Sequence, residues 1–354
     1  MRSEVRFSSK RLLLTLMLCA CSVILLQNYS VPAELSFTLK LCSLLLGLAV
    51  CFICFLPAVL LKKRSGGDLL SLVSRRSMLE QRAVGVFYAV YFLYASLYFL
   101  TPYCDMFCKK YYPDASPCLV AFLLLACCVY AAFKGANAIT RFGIFLFVLA
   151  MLTNILMFGG SVSSLRFDSG AWAIEGGADA FARGVNYFAT PCFIAAIFVC
   201  LAGEARLFKL RHPLIAVALT GLKFALVLFF ITFAVGEYAQ RQEYQTFVLS
   251  RVAHFGSFAG VESFYMALCT MSVFMIISLL LCCLCKSFNK SGSLPFTASF
   301  AVAAFVLHFI AASNNSVKEI LTDPLLLNIF SICASVVVPL LYYFRSSFER
   351  SRHA

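Results

Sequence analysis

Ten apolar runs divide the chain, at approximately 12–28, 38–61, 84–101, 117–133, 142–165, 184–203, 213–236, 262–285, 296–312 and 324–344. Each is close to the roughly 20 residues a helix needs to cross a hydrocarbon core about 30 Å thick. The polar stretches between them carry turn formers: Ser65-Gly66-Gly67, Pro113, Gly176-Gly177, Asn289 to Pro295 and Asn314-Asn315. The pattern predicts an all-α membrane protein of ten transmembrane helices between an N-terminal segment at 1–11 and a basic tail at 345–354. Ten spans use roughly 200 residues, which leaves no room for a separate catalytic domain.

Composition agrees: 62% of residues are hydrophobic and 13% charged, against about 45–50% and 25% in a soluble domain. The net charge of +13 is carried by short basic clusters between apolar runs rather than by a soluble basic face, so nucleic acid is not an expected partner. With a cytoplasmic N-terminus, twenty Lys and Arg fall inside and eight outside, with Lys223 within a span. By the positive-inside rule both termini are expected in the cytoplasm. A rival reads Arg2 to Arg11 and the run behind them as a cleaved secretory signal, but Cys19 does not suit the cleavage site. Most of the 17 cysteines sit inside spans, as Cys127-Cys128 and Cys282-Cys283 do, where a thiol packs as a small hydrophobe. Zinc spacing is absent, so neither metal nor cofactor is expected. Cys104, Cys108 and Cys118 lie near one loop and are candidates for a disulfide whose geometry sequence does not fix.

Ten spans divide into five plus five, and an odd number per half makes the second half enter the membrane from the opposite face. The expectation is an inverted repeat, 12–165 followed by 166–344. Transporters built this way bind substrate near the midplane, where corresponding helices are interrupted. Spans 1 and 6 are therefore the candidates. Span 6 carries Ala189-Thr190-Pro191; Pro191 has no amide hydrogen, and its ring clashes with the carbonyl of Tyr187 one turn earlier. A freed carbonyl, the Thr190 hydroxyl and a helix end would serve a zwitterion or cation, while a kink healed by neighbouring helices is the plainer reading. In span 1 the comparable place is Ala20-Cys21-Ser22, where small side chains permit close helix packing or access by a ligand.

Tyr91, Tyr94 and Tyr98 follow helical spacing on span 3, as a pocket wall or as core and interfacial packing. Lys223, roughly ten residues into span 7, is costly at the bilayer centre; it is read either as a titrating amine in place of a coupling cation or as a snorkelling side chain. His308 is a lone imidazole in span 9, read as hydrogen-bonded within the bundle rather than as a proton carrier. The outer segment from Glu243 to Phe258 mixes Phe247, Val248, Val252 and Phe255 with Arg251 and His254, as an amphipathic helix over the mouth would. Four histidines without a paired catalytic motif, and no acidic cluster in the spans, speak against an enzyme.

Gly236, Tyr244-Gln245-Thr246-Phe247-Val248-Leu249-Ser250-Arg251, Gly256-Ser257-Phe258 and Val273-Phe274 resemble the signature of the spore germination permease family. Ser116-Pro117 entering span 4, followed by Lys134-Gly135 and Arg141, resembles the family's Lys/Arg-Gly-x5-Arg element. Departures are Ala20, Ser22 and Gln27 where the family has Gly-x-Gly and proline, Gly260 and Glu262 in place of Arg-x-Asp, Cys269 near a tryptophan position, and no acid around Ala195. The resemblance implies a LeuT-like five-plus-five inverted-repeat bundle of the amino acid, polyamine and organocation transporter superfamily. It further implies a B-type germinant receptor subunit in the spore inner membrane, beside an A-type subunit and a C-type lipoprotein. A small nutrient, most simply an amino acid, would bind among Ala20, Cys21, Ser22, Tyr91, Tyr94, Tyr187, Thr190 and Pro191, with Lys223 as coupling cation. A proton-coupled amino acid permease is the alternative.

Overall fold

The computed structural model describes residues 7–26, 34–65, 69–73, 77–167, 172, 174–206, 211–240, 242–254 and 261–352. Among them ten helices are long and apolar enough to cross a membrane: Ser9–Leu26, Phe37–Lys63, Met78–Lys110, Pro117–Lys134, Ala136–Ser164, Ala178–Glu204, Arg211–Val235, Val261–Ser287, Leu294–Ser313 and Asn315–Arg345. They are numbered as spans 1 to 10.

Local chemistry sets several of the ends. Ser77 caps span 3 by accepting a hydrogen bond from the Glu80 amide at 3.3 Å, and Glu80 occupies the first turn. That helix runs 33 residues, about 50 Å at 1.5 Å per residue, and so outruns the hydrocarbon. Gly135 alone separates spans 4 and 5. Its φ of 88° is a conformation that a side chain disfavours, and this accounts for glycine within the Lys134-Gly135 element. Span 10 is compound: a helix Asn315–Leu321, capped by Asn314, precedes Pro324–Ile332 and a wider-wound turn at Cys333–Val337.

Burial sorts the spans. The most apolar stretches of spans 6, 8 and 1 are 89%, 83% and 78% enclosed, against 28% in spans 4, 5 and 9. Spans 6, 8 and 1 therefore form the axis of the bundle, and Phe122, Phe145, Ile155 and Phe309 project outward as lipid would require. Buried hydroxyls satisfy themselves on their own helices, as Thr15 does on the Arg11 carbonyl, Ser22 on Leu18, Ser96 on Phe92 and Ser278 on Phe274.

The packing repeats with an offset of five. Span 2 lies along span 6 and span 7 along span 1; span 1 meets span 5 and span 6 meets span 10. Span 8 contacts spans 4 and 5 as span 3 contacts spans 9 and 10, while 2 with 7, 3 with 8 and 4 with 9 map onto themselves. Each contact recurs when five is added to both partners, which is the plan of a repeat bundle. The all-helical expectation has one small exception: Phe7–Ser8 pairs in parallel with Ala205–Arg206, joining the entry of span 1 to the exit of span 6. Beside this ladder Lys62 donates to the Ala202 carbonyl, and Lys286 donates to the Cys200 carbonyl at 2.8 Å and pairs with Glu204 at 2.8 Å. Cations thus sit on carbonyls that a helix C-terminus leaves open.

One expectation is corrected. Span 1 is one unbroken helix from Ser9 to Leu26; alanine favours the helix, and Ser22 turns its hydroxyl back onto it instead of opening it. It is buried among spans 5, 7 and 8. Cys104, Cys108 and Cys118 are free thiols.

Candidate functional site

Span 6 is interrupted where Pro191 falls. An α-helix covers Ala178–Ala189, a tighter turn covers Thr190–Cys192, and the helix resumes over Phe193–Leu201. Because residue 191 has no N–H, the Tyr187 carbonyl loses its usual donor. The Thr190 amide moves one residue forward to serve Tyr187, and this leaves the Asn186 carbonyl without its own helical partner. Asn328 of span 10 supplies one: its Nδ2 donates to the Asn186 carbonyl and to the Asn186 side-chain oxygen, both at 2.7 Å. The other end of the same carboxamide accepts from the Cys192 thiol at 3.5 Å. Asn328 is 4% exposed.

Span 2 covers the opposite side of the interruption. Ser43, Gly47, Cys51 and Cys54 form a stripe of small residues on it. A Cβ placed on Gly47 would stand 2.6 Å from the Phe188 carbonyl carbon and 2.8 Å from the Ala189 nitrogen, so only glycine lets span 6 come this close. One turn on, the Cys51 thiol donates to the Ala189 carbonyl at 3.4 Å. Ser43 faces Gly184, one turn before this contact, and Cys54 meets Cys192.

The sequence-derived residues distribute unevenly around this turn. Thr190 and Pro191 are buried within it, and span 1 packs directly against it. Tyr187 precedes it, and its hydroxyl lies near Tyr98 and Tyr265 without a hydrogen bond among the described residues. Ala20, Cys21 and Ser22 are buried on span 1; the Cys21 thiol meets Thr220 of span 7 and lies within the electrostatic reach of Lys223. Lys223 is half-buried, also acts on Cys269 of span 8, and has no carboxylate partner among the described residues. The structure therefore brings span 1, the span 6 turn and Lys223 into one neighbourhood.

The tyrosine stripe of span 3 does something else. Tyr88 donates to the Ala334 carbonyl at 2.6 Å, Tyr91 bonds the Ser331 hydroxyl at 3.0 Å, and Tyr94 donates to the Ile320 and Asp323 carbonyls at 3.0 and 3.2 Å. The stripe fastens span 3 to span 10. Tyr91 reaches the span 6 turn through Ser331, which also meets Cys192, whereas Tyr94 sits away from it at the hairpin before Pro324.

At the face opposite the N-terminus, the helix Gln245–Val252 buries Phe247, Val248 and Leu249. Thr246 donates to the Ile24 carbonyl at 3.0 Å, and Tyr265 to the Leu25 carbonyl at 2.6 Å. Together they cap the last turn of span 1, while Arg251 pairs with Glu262 at 3.0 Å on the surface. Gln27, Gly260 and residues 255–258 lie outside the described residues.

A family model described as spore germination protein, the spore permease family, matches residues 8–320. The chain belongs to this family. No curated protein matches it. Membership makes it a germination-related, multi-pass membrane permease. In this spore permease the family element Lys134-Gly135 is the one-residue turn between spans 4 and 5, and Tyr244 to Arg251 is the cap on span 1.

Sequence reading missed Asn328, Asn186, Gly47 and the partners of His308, namely Thr101 and the Asp105–Lys318 pair. His308 Nδ1 lies 3.2 Å from the Thr101 hydroxyl, close to the Asp105–Lys318 ion pair, in keeping with an imidazole hydrogen-bonded within the bundle. The stripe on span 2 had a signal, small residues at 43, 47 and 51. Asn328 had only its polarity inside an apolar run.

Proposed function

We propose that this spore permease is the B-type subunit of a germinant receptor and binds a small nutrient, most simply an amino acid, at the span 6 turn. The observation that supports this reading is the interruption at Thr190–Cys192, deep in the bundle, whose main-chain acceptor is served by side chains and not by its own helix. Side-chain donors can be exchanged for those of a ligand without unwinding the helix, whereas a continuous helix offers nothing. An amino acid suits the place: its ammonium would replace Asn328 on the Asn186 carbonyl, and the free Tyr187 hydroxyl would meet its carboxylate. Ala20, Cys21, Ser22, Thr190 and Pro191 would form the walls, and Tyr91 would act through Ser331.

A ligand biases the bundle only by binding one conformation more tightly, and a hundredfold preference is worth about 2.7 kcal/mol. In this reading both termini are cytoplasmic, the membrane is the inner membrane of the spore, and A-type and C-type lipoprotein subunits receive the signal. Screening the purified protein for amino-acid-dependent thermal stabilisation tests the site, and co-purification with the two partners tests the assembly. A carboxyl-terminal tag reachable from outside the cell would overturn the orientation.

Lys223 supports a second reading, a proton-coupled amino acid permease. Its amine acts electrostatically on Cys21 of span 1 and has no acidic partner among the described residues, as a fixed cation in place of a coupling ion would. Sustained uptake into proteoliposomes, abolished by a proton uncoupler, would favour it over the receptor.

A further inference from the structure

Asn328 and Ser331, one turn apart, hold span 10 against the span 6 turn. Toward span 6 the Asn328 carboxamide holds the Asn186 carbonyl and side chain at 2.7 Å and takes the Cys192 thiol at 3.5 Å. One turn on, Ser331 meets Cys192 of the span 6 turn and bonds Tyr91 of span 3 at 3.0 Å, and its carbonyl accepts from Ser335 at 2.6 Å. The wide turn at Cys333–Val337 follows at once, and Tyr88 holds its Ala334 carbonyl. A single π-type turn inside an α-helix is a place where register can change without loss of the helix, and such turns concentrate at functional positions. Span 10 is thus held to the interruption by the buried Asn328 amide and by Ser331 on Cys192, and to span 3 by a row of tyrosines, with a compliant turn between Ser331 and the remainder of the helix.

We propose that Asn328 is a built-in competitor for the ligand: its carboxamide closes the span 6 turn in the empty protein and must release the Asn186 carbonyl before a ligand can use it. Span 10 is then the element that registers occupancy, because the released amide frees Pro324–Ile332 to shift against Tyr88 and Tyr91. The proposal rests on the reading of the span 6 turn as the ligand site. It carries a consequence that a merely structural amide would not. When the binding-competent state is only a fraction of the population, apparent affinity falls by that fraction, and a change that destabilises the closed state restores it. Weakening Asn328 should therefore lower the stability of the empty protein and raise its affinity together.

The test compares full-length wild type, Asn328→Ala and Asn186→Ala, purified in detergent and titrated with a mixture of the twenty L-amino acids, with the melting temperature as readout. Asn328→Ala is expected to melt lower when empty and to be half-saturated at about tenfold lower concentration. Asn186→Ala, which removes only the side-chain acceptor, should move both quantities the same way by less, and it carries the test if Asn328→Ala does not fold. Amino acids that stabilise wild type while half-saturation is unchanged or raised in the variants would overturn the competitor role and leave the site reading standing. Stabilisation of none of the three proteins would overturn the site reading and the competitor with it.

Discussion

Replacing Gly47 with alanine probes the contact that sets the span 6 turn in place. The added Cβ would lie 2.6 Å from the Phe188 carbonyl carbon, 2.7 Å from its Cβ and 2.8 Å from the Ala189 nitrogen. Carbon atoms in contact prefer about 3.5–4.0 Å, so span 2 must retreat by close to an ångström. The obstructing atoms are mostly main chain and cannot rotate aside. Retreat also stretches the Cys51 bond to the Ala189 carbonyl one turn on, now 3.4 Å. Overpacking of this kind costs about 1–3 kcal/mol, and the stretched thiol bond adds a fraction of that. Gly177→Ala is the matched control: a Cβ there meets nothing within 4 Å, and φ is −80°. Thermal unfolding in detergent should place Gly47→Ala clearly below wild type and Gly177→Ala between the two, lowered only by the weaker N-cap that alanine makes. If the two variants melt together, the close approach of spans 2 and 6 is not what the packing implies.

Other substitutions test separate links. Pro191→Ala restores an amide that can serve Tyr187, returns Thr190 to Asn186, and so should heal the helix and weaken ligand binding; unchanged binding by calorimetry would remove Thr190 and Pro191 from the site. Lys223→Met should abolish uptake driven by a proton gradient, and persistence of that uptake rules out the coupling role. Tyr88→Phe deletes a buried bond to the Ala334 carbonyl and leaves the acceptor in place, with an expected loss of about 1–3 kcal/mol; an unshifted unfolding midpoint would mean the row of tyrosines does not fasten span 10. Lys286→Met uncovers the Cys200 carbonyl and strands Glu204, so it should destabilise the N-terminal face, read as faster exchange of the amides around residue 202; unaltered exchange would refute that staple.

How much was legible follows from how far each signal reaches along the chain. Hydrophobic runs of helical length determine ten spans, because a backbone in lipid has to satisfy its own hydrogen bonds wherever it lies. Pro191 determines the interruption, since a missing N–H and a ring clash act within one turn. Gly135 between two apolar runs likewise marks a turn, and the match to residues 8–320 agrees with the motifs quoted from Gly236, Tyr244 to Arg251 and Lys134-Gly135.

Tertiary structure decided what becomes of the polar atoms those signals release. Ala20-Cys21-Ser22 looked like a second interruption, yet span 1 stays helical because nothing local breaks it. Tyr91 and Tyr94 share a helical face, but their hydroxyls go to span 10, some 240 and 226 residues away in sequence. The Asn186 carbonyl is freed by its neighbour Pro191 and satisfied by Asn328, 142 positions later. Local covalent geometry creates an unpaired acceptor, and only the packing of distant helices determines which donor reaches it.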